Sequence, residues 1–151
     1  MNAHVKVLLP ITQESWQNPF EGSPAITQGV SDGWPLSESE VELLRAAMDR
    51  VIPRDQEPSA TDLGGEEFIR RRLVAQPEIV ELYRTGLEIL EGSGFGSADE
   101  AHRDAALSIL EEHAFVRLLI QHTVEAYYSD PGNGGNRDGA SWKAIGFEVT
   151  A

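Results

Sequence analysis

Apolar residues recur every three or four positions through most of the chain beyond residue 36, the spacing of helices that bury one side. The first stripe is Val41, Leu44, Met48 and Val51. Ser37 followed three residues later by Glu40 is a capping box that opens this helix, and Pro53 stops it. A second helix runs through Phe68, Ile69 and Leu73, with Thr61 or Asp62 as its cap. Pro77 suits the first turn of a third, whose buried side is Ile79, Tyr83, Leu87 and Leu90; the glycines from Gly92 to Gly96 end it. Ser97 with Glu100 is another capping box, opening a fourth helix through Ala101, Ala105, Leu107 and Leu110. A fifth carries Phe115, Leu118, Leu119, His122 and Ala126 on one side, and a short last helix spans Gly139 to Ile145. No segment of useful length alternates with the period of a strand, and no internal repeat is present. The pattern predicts an all-α fold: a helical domain of about five helices over residues 37–151, behind an extended arm over 1–36.

The arm holds Pro10, Pro19, Pro24 and Pro35 with Gly22, Gly29 and Gly33, which predicts no regular structure beyond a short extended piece at Val5–Leu9. Trp16, Phe20 and Trp34 are too apolar for a solvated tail. The arm is expected to lie along a surface, its own core or a partner's.

The stretch from Tyr127 to Phe147 is the most specific in the chain. It holds Gly132, Gly134, Gly135, Gly139 and Gly146, with Pro131 forcing the fifth helix to stop near Ser129. Asp130, Asn133, Asn136 and Asp138 can bond to nearby backbone in tight turns, and Arg137 carries a rigid fork of donors. A flexible linker needs neither Arg137 nor Trp142, so the expected product is an ordered loop, with Trp142, Ile145 and Phe147 pinning the chain back onto the body. Three ligand-binding readings fail. Counted from Asp130, a calcium loop would place ligands at Gly132 and Gly134 and its distal glutamate at Ser141. The third glycine and preceding strand of a dinucleotide fingerprint are missing, as is the Gly-Lys-Ser/Thr of a phosphate loop.

Charge and composition narrow the function classes. The formal net charge is −13, from 25 acidic and 12 basic residues, which disfavours nucleic acid and anionic membranes while permitting a basic protein partner. The chain has no cysteine, so thiolate catalysis, disulfides and cysteine-bound clusters are impossible within it. No apolar run approaches the ~20 residues of a spanning helix. The apolar run at the N-terminus is short and broken by Lys6 and Pro10, and Arg70–Arg72 lies mid-chain inside a helical pattern. Neither reads as an export signal. The chain as written is therefore expected in the cytoplasm, or in the periplasm if an exported partner carries it. The basic run itself reads as a solvated face balancing Glu66 and Glu67, or as a patch for an acidic partner.

Candidate catalytic chemistry is thin. The histidines are His4, His102, His113 and His122, and only His122 falls on an apolar stripe. Asp99 with His102 is a single pair where a di-iron bundle needs two, and neither the zinc-protease pattern nor a nucleophile elbow occurs. An acid–base cluster of His122, Asp130 and Asp138 is the one enzymatic alternative.

The segments Tyr128-Ser129-Asp130-Pro131, Gly134-Gly135-Asn136-Arg137-Asp138 and Trp142-Lys143-Ala144-Ile145-Gly146-Phe147 resemble the gluconate 2-dehydrogenase subunit 3 family. Leu43 to Pro53 resembles that family's first helix and His122 to Ala126 its lead-in to the loop, so the likeness covers roughly 36–147. The resemblance implies the small, or gamma, subunit of a flavin-dependent sugar or sugar-acid dehydrogenase. The catalytic residues and FAD would sit on a large partner of the glucose–methanol–choline oxidoreductase type, a c-type cytochrome often completing the complex. It implies no cofactor and no catalytic residue in this chain, and a role in folding, stabilising and maturing the large subunit. Exported members often carry a twin-arginine signal, which this sequence lacks. That makes the soluble relatives that oxidise the 3-hydroxyl of glycosides worth naming. Tyr128, Asp130, Asn136, Arg137, Asp138 and Trp142 are the expected partner-binding residues; the alternative is that Trp142 and Arg137 only hold the loop to its own helices.

Overall fold

The computed structural model describes residues 33–147. They form six helices in chain order: α1 Glu38–Val51, α2 Gly65–Ala75, α3 Val80–Gly92, α4 Glu100–Ile109, α5 Ala114–Tyr128 and α6 Ala140–Ala144. No strand is present among the described residues. The fold is all-α, as the periodicity predicts. Residues 1–32 of the arm, with Val5–Leu9, Trp16 and Phe20, lie outside the described residues. Trp34 and Leu36 at its end do not, and both are buried in the domain's own core.

The core forms where the stripes meet. α5 packs against α1, α2 and α3, and α1 against α3 and α4. Phe115, Leu119 and Ala126 of α5 meet Ile79, Tyr83, Leu87 and Leu90 around α3, Leu44 and Met48 of α1, and Ile69 and Leu73 of α2, all buried. Burying one such side chain is worth ~1.5–3 kcal/mol, and this cluster is what stabilises the domain. Gly86 lets α3 and α5 approach: a Cβ there would sit 2.0 Å from Cγ of Phe115. Tyr83 meets the edge of Phe115 at 5.4 Å between ring centres and lies parallel to His122 at 5.8 Å.

The predicted capping box at Ser37 and Glu40 is present: Glu40 N donates to Ser37 Oγ and Ser37 N to Glu40 Oε1. Two other predicted starts differ. α2 is not capped by Thr61 or Asp62 but begins after Gly64, in the left-handed region. Thr61 is used elsewhere, since its N and Oγ1 both donate to the Asp49 carboxylate of α1. Asp62 instead closes the preceding turn reciprocally with Ser59. α4 is capped by Asp99, which accepts from His102 N, because Ser97 belongs to a tight turn at Phe95–Ser97 that buries Phe95. The apolar positions predicted for α4 are met at Leu107 and Leu110 but not at its alanines. Ala101 and Ala105 are exposed, while Ala106, Leu107 and Leu110 rest on the core. Alanines carry so little apolar area that they mark a buried face poorly. No side chain of α4 is fully buried, and Arg50 of α1 ties it down through Asp104 at 2.7 Å and Glu100 at 3.4 Å. No described helix is long and apolar enough to cross a membrane.

Candidate functional site

Between α5 and α6 the chain makes two tight turns, Pro131–Asn133 and Arg137–Gly139. Asp130 starts the first: its Oδ1 accepts from Gly132 N at 2.8 Å and its carbonyl from Asn133 N at 2.8 Å. Asn136 starts the second, with φ 52°, a left-handed conformation that asparagine tolerates better than most residues. Its side chain is 0% exposed and holds the loop together. Nδ2 donates to Ser129 O at 2.7 Å, and Oδ1 accepts from Ser141 N at 2.9 Å and Ser141 Oγ at 2.7 Å. One amide thus ties the end of α5 to the start of α6. Gly135 completes the closure, for a Cβ there would lie 2.4 Å from the Ala126 carbonyl oxygen.

The loop is also docked on α2 and the turn before it. Arg137 N donates to Leu63 O at 3.1 Å, and Arg137 Nη1 reaches Asp62 O at 3.3 Å. The guanidinium lies over Gly64, where a Cβ would come within 2.8 Å of Nη2. From α2, Arg71 Nη1 donates to Gly132 O at 2.8 Å. Arg70, and then Arg71, hold the Glu67 carboxyl down to about 2 by pairing with it. The basic run is thus a locally paired face that also grips the loop. In the turn before α2, the Arg54 fork, and then the Ser59 amide, hold the Asp62 carboxyl well below the usual carboxylate range.

Of the expected partner-binding residues, Tyr128, Asp130, Arg137 and Asp138 reach the surface, Trp142 is half-buried and Asn136 is interior. Trp142 Nε1 donates to Tyr128 O at 2.8 Å, so this side chain does pin α6 to α5. Ile145 and Phe147 do not, contrary to the expectation. Ile145 is 65% exposed, and Phe147, 52% exposed, lies against the Trp142 ring at 5.1 Å between ring centres. α6 ends at Ala144, before either residue.

His122, Asp130 and Asp138 are not brought into one site. His122 is buried, and its Nδ1 meets the Tyr83 hydroxyl at 2.7 Å. Burial first, then the charge of Arg72, lower its pKa to about 4, so the ring is neutral near pH 7. Asp130 is committed to its turn, and Asp138 is exposed on the outer side of the loop. Among the described residues no group of three or more His, Asp or Glu is placed to hold a metal ion.

Alongside the loop lies a groove of about 320 Å³ between the Pro53–Pro58 connection and α6, with Ile52, Tyr128 and Ile145 in its walls. Tyr127 seals its base by donating to Pro58 O at 2.6 Å. The periodicity pointed to α5 but could not place Pro53 and Pro58 beside Tyr127, which lie far away in sequence.

The family model described as Gluconate 2-dehydrogenase subunit 3 matches residues 38–148, from the first residue of α1 through α6. No curated protein and no solved structure matches the chain. The match takes in every described helix together with the Asn136-centred loop, and the chain belongs to the gluconate 2-dehydrogenase subunit 3 family.

Proposed function

We propose that this chain is the non-catalytic small subunit of a flavin-dependent sugar or sugar-acid dehydrogenase. It binds, stabilises and helps to mature a large subunit of the glucose–methanol–choline oxidoreductase type, which holds the FAD and the catalytic residues. The observation that carries the reading is the family match over residues 38–148. The side-chain chemistry agrees with it. The Asn136 amide is spent on the loop's own architecture, and the buried imidazole of His122 is paired with Tyr83. Exposed apolar side chains gather where α5 and α6 end: Tyr128, Ile145 and Phe147. Aromatic and aliphatic groups left in water beside an ordered scaffold are what a partner surface covers.

The oxidation proper, transfer of a hydride from a sugar carbon to the flavin, belongs to the partner. This chain acts by favouring the partner's folded, flavin-loaded state through mass action, since it binds that state and not the unfolded one. A sugar oxidised at the 3-hydroxyl of a glycoside is the substrate branch we favour, and a c-type cytochrome is the electron acceptor such a complex would use. Deleting this chain from its native cells tests the role. Flavin-loaded dehydrogenase activity in extracts should disappear and return when the chain is resupplied. Unchanged activity without the chain would contradict it.

A further inference from the structure

We propose that the groove between the Pro53–Pro58 connection and α6 seats an apolar projection flanked by lysine or arginine on the large dehydrogenase subunit; this rests on the subunit reading above. The walls supply the apolar half of the argument. Tyr128 is 46% and Ile145 65% exposed, and with Ile52 they bound a groove of about 320 Å³, room for a large apolar side chain and its neighbours. An apolar pocket rimmed by polar groups is the arrangement in which one buried anchor contributes most of the binding energy.

Charge decides what fills it. Among the described residues, Asp55 and Glu57 line the groove and no lysine or arginine does. The nearest arginine in sequence, Arg54, is forked onto Asp62. Burial first, then the neighbouring Tyr128, and after them the carboxylates of Glu57, Asp55 and Asp62, raise the Tyr127 hydroxyl above its ordinary pKa. Three occupants can be weighed against that acidic lining. The chain's own arm over 1–32 carries Lys6 against Glu14, Glu21 and Asp32, so it is acidic. A second copy brings a formal charge of −13. Both place like charge against like, which costs association. A partner surface with basic residues around an apolar projection matches both the walls and the rim, and long-range attraction speeds its approach.

The test uses the absence of cysteine from the chain. Ile145→Cys introduces a unique thiol at an exposed position, to which a benzophenone maleimide is attached. The labelled full-length chain is returned to native cell extract and irradiated. Glu57→Lys is examined beside it by association kinetics with the isolated complex partner. The expected result is an adduct between position 145 and the large flavin-bearing chain, with association of Glu57→Lys slowed roughly tenfold at low salt and its salt dependence flattened. Adducts to residues 1–32, adducts to a second copy, or a flavoprotein that binds Glu57→Lys as fast as wild type would overturn the inference while leaving the subunit reading intact. If the unmodified chain captures no flavoprotein at all, the subunit reading fails and the inference with it.

Discussion

Asn136 is the residue on which the loop's shape depends. Its amide makes three hydrogen bonds in a fully buried setting, and its backbone sits at φ 52°. Asn136→Ala leaves the Ser129 carbonyl and the Ser141 donors short of partners and adds left-handed strain. We expect a loss of about 3 kcal/mol, read as a lower urea midpoint. Asn136→Gly should lose somewhat less, because glycine relieves the backbone part. His122 gives a second prediction through pH. Its pKa falls from 6.5 in the unfolded chain to about 4 in the fold. The unfolded state therefore takes up a proton first as pH drops. The stability this residue contributes is fully present above 6.5 and is lost as pH falls towards 4, about 3 kcal/mol in all. Urea melts at neutrality and at about pH 4.5 should show that loss in the wild type, and a smaller one in His122→Gln, which gains no proton. Equal losses in the two would remove His122 from the account.

At the scale of elements, the helices differ in how firmly they are held. α3 and α5 meet through Gly86, Tyr83 and Phe115, and Gly86→Ala should cost ~1–3 kcal/mol by overpacking, seen as a lowered melting temperature. α4 buries no side chain fully and is held from α1 by Arg50, so its amides should exchange with solvent faster than those of α1, α3 and α5. Protection of α4 equal to that of α5 would contradict this. These elements also separate what the sequence made legible from what it did not. Tyr83, Leu87 and Leu90, with Ile79 just before the helix, declared the buried side of α3, because large apolar residues repeat there at helical spacing. The α2 start was illegible, since Thr61 bonds to Asp49 in a different helix. The α4 face was legible in Leu107 and Leu110 but not at Ala101 and Ala105, because alanine on either side looks alike in a pattern. In the loop, order could be read from its glycines, Pro131 and Trp142. That Asn136 would lie inside depended on its bonds to Ser129 and Ser141 and on Gly135 packing against Ala126, which no local spacing encodes.

At the scale of the molecule, a helical body carries a self-closed loop beside an acidic-rimmed apolar groove, and family membership directs both towards a larger partner. With a formal charge of −13, binding to a basic-rimmed surface should weaken as salt rises, since screening shortens the reach of the attraction. The most direct test of the central claim is to isolate the tagged chain from its native cells at low salt and record the absorbance spectrum and subunit ratio of what comes with it. The account predicts a fixed-ratio complex with a much larger chain that carries the absorption of bound flavin and oxidises a sugar or sugar acid. A colourless chain that elutes without a larger partner would contradict it.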